Sequence, residues 1–340
     1  MNKKITIIIL LVICSSCKNF IAELFINKGL KNYNQIETYE GIICEKGILP
    51  NHESVKTFVR YKKPGLMMAK TLSPDILKGD YFGFDGKTIY IYYAKLKFGI
   101  LISGINDVIP DSDLSIQQRL RKNAWRIIND YDIDYRGRQN IAQRSTHLYQ
   151  LIHHNNNQYS PKEWVWNDIE FSIPLKLTMY TQTDTLFYKI EYEQITFNQG
   201  IEKKQFEYEF PLGTMIAKWD LSGKNYSPND IKQSLNFPIQ IPHHLPESFN
   251  RKKIVKSENS IPAICLIYSD GIYHMLLSEM KAYGLTVDYL RGISIPSINH
   301  TAKLNFFGDE IVISWVKNDI LFLLSSNLPY NDVIGIAEKI

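Results

Sequence analysis

Phe84-Asp85-Gly86-Lys87-Thr88-Ile89-Tyr90-Ile91-Tyr92 places a short polar turn between two apolar runs. Asp-Gly is a pair that tight hairpins favour, because the central positions of such a turn need positive φ. The runs on either side, 81–84 and 88–93, are aromatic and β-branched, which suits a pleated, half-buried surface. Upstream, 57–61 reads as a strand stopped by Lys63-Pro64-Gly65, and 66–72 as another broken at Ser73-Pro74. Downstream, 95–103 alternates. Segments 145–153, 163–166, 175–180 and 186–192 follow as short strands at meander spacing, and 205–210 is expected to be the last strand of this domain. The chain therefore reads as mainly β, of the α+β class.

Composition agrees. Tyrosine and phenylalanine number 21 and 16, a usage that favours strands. The length of 340 residues suits two domains. A formal net charge of +4 is too small to argue for nucleic acid. The densest basic run, Arg251-Lys252-Lys253, reads as a solvated strand edge.

Two segments have a helical period. In 113–129, Ile116, Leu120, Ala124 and Ile128 recur every fourth residue, with Ser112 or Asp113 as N-cap. A shorter amphipathic helix is expected over 20–31, with Ile21, Leu24, Phe25 and Lys28 on one face. Segment 222–246 is rich in Asn, Ser and Pro and reads as a linker. Beyond it, 263–269 and 273–278 flank the hairpin pair Asp270-Gly271. Three more strands follow over 303–307, 311–316 and 320–325, and 331–340 closes the chain as a helix.

The first residues are read as an export signal. Lys3 and Lys4 precede the apolar run 5–13, which is too short for a permanent transmembrane helix. Ser16-Cys17 then fits a lipoprotein cleavage site, with Cys17 lipidated; a plain signal peptide cut near Ser16, or an uncleaved anchor, is the alternative. Lys18 is not the Asp that keeps some lipoproteins in the inner membrane, so an exported, lipid-anchored, periplasm-facing protein of the outer membrane is favoured. The expected division is a signal peptide over 1–16, a main domain over 17–221, a linker over 222–246 and a small α+β domain over 247–340. Cys44 and Cys265 lie far apart; a disulfide is open to them in an oxidising compartment, and two buried free thiols are the preferred reading.

Several pieces now carry a family likeness in order along the chain: Tyr61-Lys62-Lys63-Pro64, the hairpin 84–92, Ile141-Ala142-Gln143-Arg144, Trp166-Asn167-Asp168 with Pro174-Leu175 behind it, and Ile195-Thr196-Phe197-Asn198. The main domain resembles the LolA/LolB/RseB superfamily of periplasmic lipoprotein carriers and envelope-stress sensors. Tyr90 stands where that family usually has Trp, Gln143 where it has Gly, and Lys63 where Arg usually precedes Pro. Tyr268-Ser269-Asp270-Gly271, Trp315 and Asn327-Leu328-Pro329 resemble the small domain that follows the barrel in RseB-like proteins. The resemblance implies a half-open antiparallel β-barrel with a helical lid, whose concave apolar face takes lipid or the acyl chains of lipoproteins. It further implies transport and sorting, or sensing and sigma-factor regulation. The partners it implies are a membrane-anchored regulator or a transport complex, docked through the C-terminal domain.

The chain has no Gly-x-Ser-x-Gly, no His-Glu-x-x-His and no phosphate loop. His153-His154 and His243-His244 are adjacent pairs, which on a strand point to opposite faces and chelate poorly. Asp130, Asp132 and Asp134 would share one strand face, toward solvent. No enzyme activity, cofactor or metal is expected. The cavity candidates are Phe58, Met67, Met68, Phe82, Phe84, Tyr90 and Tyr92, because Met and aromatic side chains repack around flexible ligands. Ile116, Leu120, Ala124 and Ile128 are the lid candidates. The rival reading is a structural surface lipoprotein whose filled barrel binds nothing.

Overall fold

A computed structural model describes residues 23–24, 26–47, 53–105, 121, 124–125, 127–154, 161–232, 235, 237–242, 245–257, 261–270, 273–295, 302–307, 310–328 and 330–340. The chain divides into two compact units, Met1–Glu37 with Ser115–Leu186, and Thr38–Leu114 with Phe187–Ile340. The larger sheet has twelve strands. It is not closed into a barrel, for its terminal strands each have one neighbour.

The second unit begins with β1 (Thr38–Lys46), β2 (Val55–Lys62), β3 (Leu66–Ser73), β4 (Tyr81–Phe84), β5 (Ile89–Tyr93) and β6 (Phe98–Ser103). Successive strands pair antiparallel, with Tyr39 opposite Tyr61, Tyr61 opposite Met67, Met67 opposite Phe84 and Phe84 opposite Ile89. Asp85 holds the central hairpin: its Oδ1 accepts the backbone N–H groups of Lys87 and Thr88 at 2.8 Å each, while the Tyr90 hydroxyl donates to Oδ2 at 2.9 Å. Gly86 takes the positive φ, 95°, that the turn requires. The expected strand over 95–103 begins only at Phe98, because Ala94–Lys97 is itself a turn, closed by the Lys97 N–H on the Ala94 carbonyl at 3.2 Å.

In the first unit, β7 (Tyr131–Ile141), β8 (Arg144–His153), β9 (Lys162–Asp168) and β10 (Pro174–Tyr180) make an antiparallel meander. Ala142 and Gln143, at φ 50° and 62°, form the two-residue turn between β7 and β8. Residues 26–33 are helical. Of the expected apolar side, Leu24 and Lys28 are exposed and Ile21 and Phe25 lie outside the described residues; among the described residues of the helix, Ile26 is buried. Asp130 closes a helical stretch, so only Asp132 and Asp134 lie on a strand, both exposed.

The remaining strands belong to the second unit. β11 (Leu186–Phe197) pairs with β1, and β12 (Met215–Asp220) lies parallel to β6, with Met215 opposite Phe98. The expected strand over 205–210 is absent. Lys203–Phe206 is instead a 3-10 turn, and the following residues stay unpaired. Phe206, Tyr208 and Phe210 alternate as a strand would, but they turn their rings onto the sheet instead of pairing along an edge.

A seven-stranded antiparallel sheet completes this unit. Its order is β13 (Asn250–Lys256), β14 (Ala263–Ser269), β15 (His274–Lys281), β19 (Ile320–Ser326), β18 (Glu310–Lys317), β17 (Ala302–Phe307) and β16 (Ile293–Ile295). β16 was not anticipated; β13 carries the basic run as an edge strand, as its sequence suggested. A helix, Tyr330–Ala337, closes the chain. Phe98, Ile100, Ala217 and Trp219 of the larger sheet share one buried cluster with Val255, Ala263, Cys265, Ile267, Met280 and Leu321 of the smaller. Cys44 and Cys265 are free thiols, Cys265 buried and Cys44 half-buried.

Candidate functional site

Strand register decides which of the cavity candidates can meet. Side chains alternate along a strand. Met67, Phe82 and Phe84 therefore share one face, together with Tyr39, Tyr61 and Phe197. Tyr39 stacks on Tyr61 at 5.1 Å and meets Phe197 at 6.2 Å. Phe58, Met68, Tyr90 and Tyr92 point to the opposite face. There the segment after β11 covers Met68, Tyr90 and Tyr92. Met68 packs on Leu66, Ile201 and Phe206. Tyr90 and Tyr92 lie within 6.1–6.3 Å of Tyr208 and Phe210, and Tyr81 stacks on Tyr208 at 3.8 Å. Gly99 allows this closeness, since a Cβ there would stand 2.5 Å from the Phe210 ring. Phe58 lies under the Arg60 guanidinium at 5.1 Å. The seven candidates are thus split between a covered face and a half-buried one.

A second apolar face lies within the first unit, on β7–β10. Tyr131, Ile133 and Tyr135 stand opposite His153, Leu151 and Tyr149. Past the bulge in β7, His147 rejoins the same face, with its ring 5.6 Å from Tyr135 and 6.1 Å from Tyr149. Val165 and Glu163 continue it on β9, and Leu177 and Met179 on β10. Ile133 and Tyr135 are 45% and 51% exposed, unusual for large apolar groups so placed. Glu163 is the polar exception. Burial pushes its carboxyl up to about 7, against the Tyr131 hydroxyl that donates to it at 3.3 Å. Desolvation lowers the His147 imidazole, and the charges of Arg138 and Lys28 lower it further. Burial thus disfavours the charged form of both Glu163 and His147 on this face. None of Tyr131, Tyr135, His147, Tyr149 and Glu163 was singled out from sequence. Their signal was the paired alternation Tyr131-x-Ile133-x-Tyr135 and Tyr149-x-Leu151-x-His153. Ala124 and Ile128 are half-buried in this unit, while Ile116, Leu120, Cys17 and His243-His244 lie outside the described residues.

The residues that carried the family likeness have mainly structural duties. Arg144 clamps Asp168 through Nε at 2.5 Å and Nη2 at 3.1 Å, and reaches Glu170 at 2.8 Å. Asp168 also accepts the backbone N–H groups of Glu170 and Phe171, which sets the turn into β10. The Trp166 indole N–H donates to Gln139 at 2.7 Å. Asn198 meets the start of β1, and the Lys62 ammonium donates to the Ile201 carbonyl at 2.6 Å.

Comparison with known proteins gives a match over part of the chain. The model of the MucB/RseB N-terminal domain matches residues 108–210. That segment includes β7–β10 and their apolar face. Among curated sequences none matches. Solved structures that are similar include MucB, at 14% identity over 93% of this chain and 96% of that one, with a TM-score of 0.47. They include the Pseudomonas aeruginosa MucA/MucB complex, at 14% identity over 94% and 97%, with a TM-score of 0.43. A LolA-superfamily protein from Nitrosomonas europaea is 11% identical over 54% of this chain and 97% of its own, with a TM-score of 0.26. Residues 108–210 are thus similar to the MucB/RseB N-terminal domain, within the family that the motifs resemble.

Proposed function

We propose that this chain, whose residues 108–210 match the MucB/RseB N-terminal domain, is an envelope-anchored binding protein for lipid or lipoprotein acyl chains, with no catalytic role. The observation that carries the reading is the apolar face of β7–β10. Its aromatic and aliphatic groups lie within the matched segment, and Ile133 and Tyr135 stand open to solvent. An acyl chain laid on such a face needs no hydrogen bonds, since each buried CH₂ contributes about 0.8 kcal/mol. The half-buried group of Met67, Phe82 and Phe84 is a second surface of the same character. Cys17 is the proposed lipid attachment site, on a periplasm-facing protein of the outer membrane. A role in sorting lipoproteins or in sensing them upstream of a sigma factor follows from the same ligand. The sensing role is favoured by the family match; MucB has been crystallised with MucA. A membrane-anchored regulator is therefore the proposed protein partner, met through the C-terminal part.

Uptake of a fluorescent fatty acid tests the reading. Tyr135→Lys and Ile133→Asp should each weaken uptake about tenfold or more, since each removes apolar burial worth roughly 1.5–3 kcal/mol. Both side chains are only about half exposed, so uptake is compared at equal fractions folded. Uptake that is absent in the parent chain, together with no co-purifying lipid, would reject the proposal. Loss of palmitate-analogue labelling in Cys17→Ala tests the anchor separately.

A further inference from the structure

One end of the larger sheet, within the second unit, gathers three connections. They are the loop between β3 and β4, the Ala94–Lys97 turn between β5 and β6, and the 211–214 turn that enters β12. Hydrogen bonds tie them together. Asp80 accepts the Ala94 N–H at 2.8 Å, joining the first loop to the second. The Met215 N–H donates to the Lys97 carbonyl at 2.9 Å, joining the third to the second. The 211–214 turn is rigid in its own right. The Thr214 N–H donates to the Pro211 carbonyl at 3.1 Å, and Gly213 takes a φ of 81°.

This rim displays apolar side chains to solvent. Leu212 sits at the turn tip and is 102% exposed, so it packs against nothing in the fold. Met215, Ile76 and Leu72 are 45%, 39% and 38% exposed on the same rim. Lys78, Lys95 and Lys97 are exposed beside them, against the exposed carboxylates Asp75 and Glu209. Single exposed leucines are ordinary, but a leucine carried at the tip of a closed turn, with the half-exposed Met215 at its base and the exposed Lys95 and Lys97 on the turn bonded to it, is a patch of definite chemistry. Apolar groups at the tip with cations behind them match the layered chemistry of an anionic bilayer surface, acyl boundary below and phosphates above.

We propose that this rim is a membrane-contact surface. Leu212 and Met215 enter the interfacial layer of an anionic bilayer, and Lys78, Lys95 and Lys97 lie over its phosphates. The inference does not rest on the acyl-chain reading, because it uses neither the β7–β10 face nor the Met67 group. Its consequence is an orientation: this end of the sheet is held toward the lipid surface, whatever tethers the chain.

Hydrogen–deuterium exchange of the full chain on vesicles tests this. Vesicles of phosphatidylcholine alone are compared with vesicles in which phosphatidylglycerol is mixed. Peptides covering 94–97 and 211–215 should exchange several-fold more slowly on the anionic vesicles, and the effect should fall at high salt. Leu212→Glu should abolish that protection and leave thermal stability unchanged, because the side chain makes no packing contacts. Lys95→Glu with Lys97→Glu should reduce it about tenfold or more. The 85–88 turn, at the other end of the same strands, should exchange equally in all conditions. Equal exchange at 211–215 with and without vesicles overturns the proposal. Equal protection on both vesicle types overturns the anionic assignment. Protection that needs envelope protein and is missing on pure lipid assigns the rim to a protein partner, and overturns it as well.

Discussion

Glu279 and Arg144 show how single residues set local stability. Glu279 is fully buried on β15, and its two carboxylate oxygens stand 3.1 Å from the Gln240 N–H. Burial pushes its carboxyl up to about 8 from an ordinary 4.5, and the Gln240 bond opposes this. The folded state therefore holds the proton more tightly than the unfolded chain does. Below about pH 4.5 both states are protonated and the shift has no effect; between there and about 8 the native state loses stability as pH rises. Glu279→Gln keeps an acceptor and removes the ionisation. It should stabilise the chain by up to roughly 3 kcal/mol at pH 7, at about 1.4 kcal/mol per pH unit, and by nothing near pH 4. Denaturant melts at the two pH values check this, and a gain independent of pH would contradict it. Arg144→Ala removes the bidentate partner of Asp168, whose side chain is 1% exposed. A buried carboxylate left unpaired costs about 3–5 kcal/mol. Arg144→Lys should cost less, because the charge stays while the forked geometry is lost.

At the scale of elements, the aromatic segment after β11 is the informative case. Phe206, Tyr208 and Phe210 cover the face that carries Met68, Tyr90 and Tyr92. Phe206 is fully buried, so Phe206→Ala should cost about 3–5 kcal/mol through the cavity it leaves. If this covering is permanent, the same variant should leave fatty-acid uptake unchanged when compared at equal fractions folded. A large rise in uptake would instead mark the segment as a displaceable cover over a second binding face.

For the whole molecule, the contact between the larger and smaller sheets of the second unit is both apolar and ionic. Trp219 and Ile100 enter the shared cluster with no exposed surface. Arg291, near the start of β16, pairs with the buried Glu45 of β1, and the Tyr188 hydroxyl donates to the same carboxylate at 3.3 Å. Arg291 also reaches the Thr71 hydroxyl of β3 at 3.4 Å. Arg291→Ala strands the Glu45 charge and should cost about 3–5 kcal/mol, whereas Arg291→Met together with Glu45→Gln should restore most of it. A double variant as unstable as the single one would show that packing, and not charge, makes the contact.

What the sequence determined by itself was local. Asp85-Gly86, the stop at Lys63-Pro64-Gly65, the strands of the meander and the closing helix are set by turn chemistry and by periods of two or 3.6, which act over a few residues. The order of short motifs also carried the resemblance that the match over residues 108–210 supports. Tertiary structure alone decided which face each strand presents to what. Phe82 and Tyr92 look alike in sequence, yet one is left half-buried and the other lies under Tyr208 and Phe210, contributed from more than a hundred residues away. The same distance explains the parallel pairing of β12 with β6 and the mistaken strand over 205–210, because alternation cannot tell an edge-paired segment from one laid across a face. It also explains why the apolar face of β7–β10 went unread. Its members lie on four strands, and only pairing in register, with one bulge in β7, brings Tyr131, Tyr135, His147 and Glu163 to one side.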